Sequence, residues 1–176
     1  MRVMRLTILL LMAAQFATAA VVDSGPNGFT VKIAMQIQAP PVAVYRKFVR
    51  DIGEWWNPAH TFSGSAKNLA IEEKAMGCFC EKLPNGGGVR HMEVINVAPD
   101  KSIVMTGAVG PMQSLAATGT LTVVFKADGA GTKMEATYAV TGYSPGGMNV
   151  FAGPSDGMFT EQFTRLKNYV EKGKAE

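Results

Sequence analysis

The chain has 176 residues, a formal net charge of +3, only 18% charged residues and two cysteines. Its lysines and arginines are scattered, which argues against a nucleic-acid partner, and two cysteines are too few for a disulfide-stapled scaffold. A hydrophobic fraction of 47% suffices for one sizeable core.

The first residues read as a leader. Arg2 and Arg5 precede an apolar run over residues 6–14, and Ala17-Thr18-Ala19 offers small residues for cleavage. That order is the layout of a secretory signal peptide, too short in its apolar part to span a bilayer. Cleavage is expected after Ala19, or next after Ala20, giving a leader over 1–19 and one domain over 20–176. Loss of both arginines leaves the mature chain near +1. No later stretch is apolar for long enough to insert stably in a membrane, so the expected location is the periplasm or outside the cell.

Residues 29–38 alternate, with Val31, Ile33, Met35 and Ile37 facing one way, which predicts a half-buried strand. Pro40-Pro41 ends it and opens a helix, since proline is tolerated in the first turn. Val44, Phe48 and Ile52 give that helix an apolar stripe. A short second helix or turn follows at Gly53–Pro58, then a loop over 59–64 holding His60. Six strands are predicted next, near residues 68–74, 78–83, 89–97, 102–107, 116–126 and 132–142. The segment 143–154 is rich in Gly and Pro yet carries Met148, Val150 and Phe151, as expected of a loop guarding an apolar opening. A long helix closes the chain over 156–172, with Ser155 as N-cap, Gly173 beyond its end, and Phe159, Phe163, Leu166 and Val170 on one face. This order predicts an α+β fold, a curved antiparallel sheet wrapped around the final helix.

The second and third of those six strands flank Asn85-Gly86, a pair suited to the positive φ angles of a type I′ turn. A two-residue loop sets Cys80 opposite His91, Cys78 opposite Glu93, Phe79 opposite Met92 and Glu81 opposite Arg90. Cys78, Cys80, His91 and Glu93 then share one face, expected to look into the interior with Val89, Ile95 and Val97. A slip or bulge in Gly86-Gly87-Gly88 would break this arrangement. The patch has three readings: small cysteines filling space, a metal site of Cys78, Cys80 and His91, and a Cys78–Cys80 disulfide with a redox role. Glu81 and Arg90 read as a cross-strand ion pair.

Ala39-Pro40 before Val44, Trp55-Trp56 with Pro58, the strand ending at Pro99, Gly131-Thr132 and the Phe163–Val170 helix face recur in order over residues 29–171. In these the chain resembles the helix-grip superfamily, abbreviated SRPBCC, which takes in START lipid-transfer domains, the birch-pollen allergen and polyketide cyclases. It is most similar to the branch named after the activator of a heat-shock protein's ATPase. The resemblance implies a hydrophobic ligand held in a cavity between sheet and last helix, with catalysis in some members. It brings no catalytic motif and no cofactor, and the cytosolic chaperone partner does not suit an exported chain.

The expected partner is therefore a small hydrophobic molecule, and the expected ligand-binding residues are Trp56, His60, Cys78, Cys80, His91, Met105, Tyr138, Tyr143, Phe151 and Phe163. A cyclase- or dehydratase-like enzyme acting through His60, His91 or Tyr143 is the alternative. No Gly-x-Ser-x-Gly, phosphate loop or His-Glu-x-x-His is present.

Overall fold

A computed structural model describes residues 18–176. Eight strands form one antiparallel sheet in the order β1-β2-β8-β7-β6-β5-β4-β3. They are β1 (Thr18–Gly25), β2 (Gly28–Ile37), β3 (Leu69–Ile71), β4 (Cys78–Lys82), β5 (Gly88–Ala98), β6 (Ser102–Thr106), β7 (Ala116–Asp128) and β8 (Gly131–Tyr143). Helices α1 (Pro41–Arg50) and α2 (Ile52–Trp55) link β2 to β3, and α3 (Ala152–Lys172) ends the chain. The α+β arrangement of a curved sheet with a long C-terminal helix is the one expected.

Strand alternation decides which side chains meet α3. Val31, Ile33, Met35 and Ile37 of β2, Met134, Ala136 and Tyr138 of β8, and Leu121, Val123 and Phe125 of β7 are all buried. Against them α3 sets Phe159, Phe163 and Leu166, also buried, one helical stripe on one sheet face. Phe159 stacks on Phe163 at 5.7 Å and meets the edge of Tyr138 at 5.1 Å. From the other side, Phe48 of α1 reaches Phe163 at 6.4 Å and stacks on Trp55 at 5.6 Å.

Two elements differ from expectation at the termini. β1 is an added edge strand paired to β2; from Ala20 to Ser24 its residues are exposed, so no burial pattern marks it in the sequence. The leader expected over 1–19 lies mostly outside the described residues, and its cleavage point falls within β1. At the other end α3 starts at Ala152, after a helical turn over Met148–Phe151, not at Asp156. Pro154 sits in the first turn, where a missing N–H leaves nothing unpaired, and Ser155 is a buried helical residue instead of the cap. Among the described residues no helix is long and apolar enough to cross a membrane.

Candidate functional site

The β4–β5 hairpin turns at Asn85-Gly86, both at positive φ (58° and 79°), as the sequence requires. The register differs beyond the turn. Leu83 N–H donates to the Gly87 carbonyl, and Lys82, Glu81 and Cys80 oppose Gly88, Val89 and Arg90. The pairing then shifts by one residue, so that Phe79 opposes Met92 and Cys78 opposes Glu93 as expected. His91 is the extra residue of this β-bulge. A bulge re-aims side chains, and here both His91 and Met92 turn inward and are buried.

The expected patch is therefore split. Phe79, Glu81, His91, Met92 and Val94 face the interior, whereas Ile95 is 48% exposed and Cys78 and Cys80 are only half-buried. Cys78 and Cys80 form a disulfide, with Cα atoms 5.3 Å apart. No group of three His, Cys, Asp or Glu side chains placed to hold a metal occurs among the described residues, so the Cys78–Cys80–His91 metal reading loses its geometry. The Glu81–Arg90 ion pair is also replaced: Arg90 binds Glu93 at 2.8 Å, and Glu81 turns inward to His91.

That inward pair is the chemical centre of the region. His91 Nε2 lies 3.0 Å from Glu81 Oε2, and both side chains are almost fully buried. The same carboxylate accepts the backbone N–H groups of Phe62 and Ser63. Burial alone raises the Glu81 pKa, but the hydrogen bonds from Ser63, Phe62 and His91 outweigh it and hold the carboxyl below its usual range. Burial also dominates at His91 and lowers its pKa, against the opposing pull of Glu81. At neutral pH the pair is a carboxylate beside a neutral imidazole. Since a carboxylate only accepts, the imidazole proton sits on Nε2.

Gly107 makes room for the bulge. A Cβ at this position would stand 2.7 Å from the His91 carbonyl oxygen and 3.0 Å from Met92 Cα, and its φ of +148° suits glycine alone. Gly107→Ala should lower stability by about 1–3 kcal/mol through strain against fixed backbone. An unchanged urea midpoint would show that the bulge can move aside.

His91 lies on the wall of a cleft of about 760 Å³ at the N-terminal end of α3. Four segments enclose it: the stretch after α2 with Trp56, His60 and Phe62; Phe79 and His91 of the hairpin; the loop after β6 with Val109 and Met112; and Phe151 to Met158. The 57–60 turn is fastened to α3. Asn57 N–H donates to Gln162 Oε1 at 2.7 Å, the Asn57 amide donates to Glu161, and His60 Nε2 lies 3.0 Å from Glu161 Oε2. Both histidines of the chain thus border one cleft, each held through Nε2 by a glutamate. They differ in setting, because the His60 and Glu161 side chains are 38% and 42% exposed.

Of the ten expected ligand residues, Trp56, His60, His91 and Phe151 line this cleft. Met105 and Phe163 instead border a packing void of about 10 Å³ deeper in the core, since α3 fills the space directly over the sheet. Tyr138 is a buried strut. Its hydroxyl donates to the Gly107 carbonyl and accepts Val109 N–H, which holds the loop after β6, and burial pushes its pKa up to about 12. Tyr143 stands 69% exposed at the end of β8, and Cys78 and Cys80 lie off the cleft. The sequence reading missed Glu81, Phe62, Phe79, Met112, Met158 and Glu161. The triple glycine after the turn was the one signal that the register of Glu81 could slip.

No family profile and no curated protein sequence matches the chain. Among solved structures, a putative uncharacterized protein from Rhizobium leguminosarum superposes with a TM-score of 0.62 at 18% identity, over 90% of this chain and 98% of that one. A conserved protein of unknown function from Enterococcus faecalis gives 0.61 at 16%, over 91% and 80%. The Aha1 dimer from Colwellia psychrerythraea gives 0.59 at 16%, over 82% and 98%. At such identities the likeness is one of fold, and it is compatible with a helix-grip arrangement.

Proposed function

We propose that this chain is an exported helix-grip protein that binds a small hydrophobic molecule in the cleft at the N-terminal end of α3. The observation that carries the reading is the cleft itself. Its volume of about 760 Å³ lies within the usual range for small-molecule sites. Its wall is largely aromatic and aliphatic, through Trp56, Phe62, Phe79, Met112, Phe151 and Met158, and includes no Lys, Arg, Asp or Glu among the described residues. Methionine side chains adapt to irregular guests. The Cys78–Cys80 pairing and the leader-like residues 1–19 support an oxidising compartment outside the cytoplasm.

Native mass spectrometry of the purified mature chain is the direct test. It should show a one-to-one adduct that solvent extraction removes and that an apolar naphthalene-type probe restores. A chain that carries nothing and binds no such probe would overturn the reading. Hydrogen exchange in residues 143–154 should slow when the probe binds, because Phe151 and the first turn of α3 border the cleft. Equal exchange with and without a bound probe would remove any gating role from that segment.

Acid–base chemistry on the same guest is the second reading, favoured by the two histidine–glutamate pairs that border the cleft. It requires turnover of an extracted ligand that His91→Gln abolishes while binding persists.

A further inference from the structure

The cleft wall is apolar, but it is not featureless. Thr61 donates its hydroxyl to the Pro58 carbonyl at 2.7 Å, Ser114 to that of Pro111 at 3.0 Å, and the Gln113 amide to that of Arg90 at 3.1 Å. These polar side chains are engaged by nearby backbone. His60 is held by Glu161 in an exposed setting, and Ser155 is a buried hydroxyl in the first turn of α3. His91 alone of the wall, among the described residues, presents a buried imidazole nitrogen. Its Nε2–H is committed to Glu81, and Nδ1 has no hydrogen-bond partner among the described residues, nor is it a sealed-off buried atom. A neutral imidazole whose Nε2 carries the proton offers only a lone pair at Nδ1.

The ring is also fixed in place. Phe79 packs on one side at 4.9 Å between centroids, Phe62 lies at 5.9 Å, and the bulge under Gly107 sets the backbone. An orientation held by packing and by the Nε2–H bond to Glu81 lowers the ordering cost a guest must meet.

We propose that the guest is a neutral, mainly apolar molecule bearing a phenolic or alcoholic hydroxyl, and that this hydroxyl donates to His91 Nδ1. The inference rests on the binding reading above and sharpens it to a ligand class. An ether or hydrocarbon of the same shape fills the cleft but leaves Nδ1 unpaired when water is displaced. A carboxylate brings only acceptors to a lone pair and finds no Lys or Arg on the wall among the described residues.

The test compares naphthol, methoxynaphthalene and naphthoate by isothermal calorimetry on the wild-type chain and on His91→Phe, which keeps a flat ring but removes the acceptor. Naphthol should bind the wild type about tenfold more tightly than methoxynaphthalene, the yield of one hydrogen bond in a desolvated site. In His91→Phe the two should become equal. Nitrogen NMR on the wild type gives a readout independent of the variant's folding: His91 should be protonated on Nε2, and naphthol should shift Nδ1. Equal wild-type affinities, a preference that survives in His91→Phe, or an unmoved Nδ1 would overturn the inference and leave the binding reading intact. Tightest binding of naphthoate would overturn it too, placing the polar contact at the first turn of α3. Binding of none of the three would overturn the inference and the apolar-cleft reading together.

Discussion

Replacing Glu81 with alanine lowers stability by about 2–4 kcal/mol, because the buried His91 and two part-buried backbone donors lose one acceptor at once. Phe62 N–H, Ser63 N–H and His91 Nε2–H all point at this carboxylate, and the side chain is 1% exposed. The paired control is Glu161→Ala. Glu161 also binds a histidine at 3.0 Å, but both partners are more than a third exposed, so water replaces what is lost and the cost stays within about 1 kcal/mol. Urea denaturation of the two variants checks the contrast; equal losses would mean that burial does not set the strength of these pairs. Glu81→Ala should also release the Phe62 loop, and with it the wall of the cleft that packs on His91.

The same pair sets the response to acid. His91 has a folded pKa below its ordinary 6.5. As pH falls through 6.5 the unfolded chain takes up a proton that the folded chain does not, and stability drops until the folded pKa is passed. Glu81, lowered from 4.5, acts in the same direction further down: its contribution is present above 4.5 and is lost as pH falls through the folded value. Wild type should therefore lose stability steadily from about pH 6.5 downward. Glu81→Ala should lose the carboxylate's part of that slope.

Phe163→Ala costs about 3–5 kcal/mol, the range for emptying an aromatic core site. Phe163 is 1% exposed and stacks on Phe159 at 5.7 Å, with Phe48 behind it at 6.4 Å. It also borders the small void between α3 and the sheet, so the hole left behind joins existing empty space, which Met92 and Met105 can fill only in part. The measurement is a urea midpoint that falls with the m-value unchanged. A wild-type midpoint would place Phe163 outside the core and detach α3 from the sheet. Because Phe163 is off the cleft, probe affinity should survive under conditions where the variant remains folded.

The sequence by itself determined the kind and order of the strands between β2 and β8, though the strand expected over 68–74 spans only Leu69–Ile71, together with the buried face of α3 and the turn at Asn85-Gly86. Each of these is local. Alternation at period two in β2, helical spacing of Phe159, Phe163 and Leu166, and positive-φ tolerance at one dipeptide all lie within a few residues of chain. The class of fold followed from their order. The site is only partly legible in the chain: Trp56, His60, His91 and Phe151 stand out by residue type and position, while their partners Glu81 and Glu161 come from other elements. Glu81 was assigned to Arg90 because register was counted from an ideal two-residue loop.

What the tertiary structure decided was the bulge, and everything that depends on it. A one-residue offset changes which residues of β5 stand opposite β4 between turn and bulge, Val89 for Arg90 at Glu81 and Arg90 for His91 at Cys80. In β4 the alternation is unbroken, with Phe79 and Glu81 on the buried face and Cys78 and Cys80 on the other; the extra residue in β5 moved His91 from the cysteine face to the side of Glu81. No local signal fixes that offset, since three consecutive glycines accept several turn geometries. It is set from a distance by Gly107, which lies on the backbone of the bulge, and by the Phe62–Ser63 amides that need an acceptor. The position of the cleft was likewise decided in three dimensions. The stripe on α3 fills the space over the centre of the sheet, and the apolar cleft among the described residues opens where the helix begins, bordered by Phe79 and His91 of the β4–β5 hairpin.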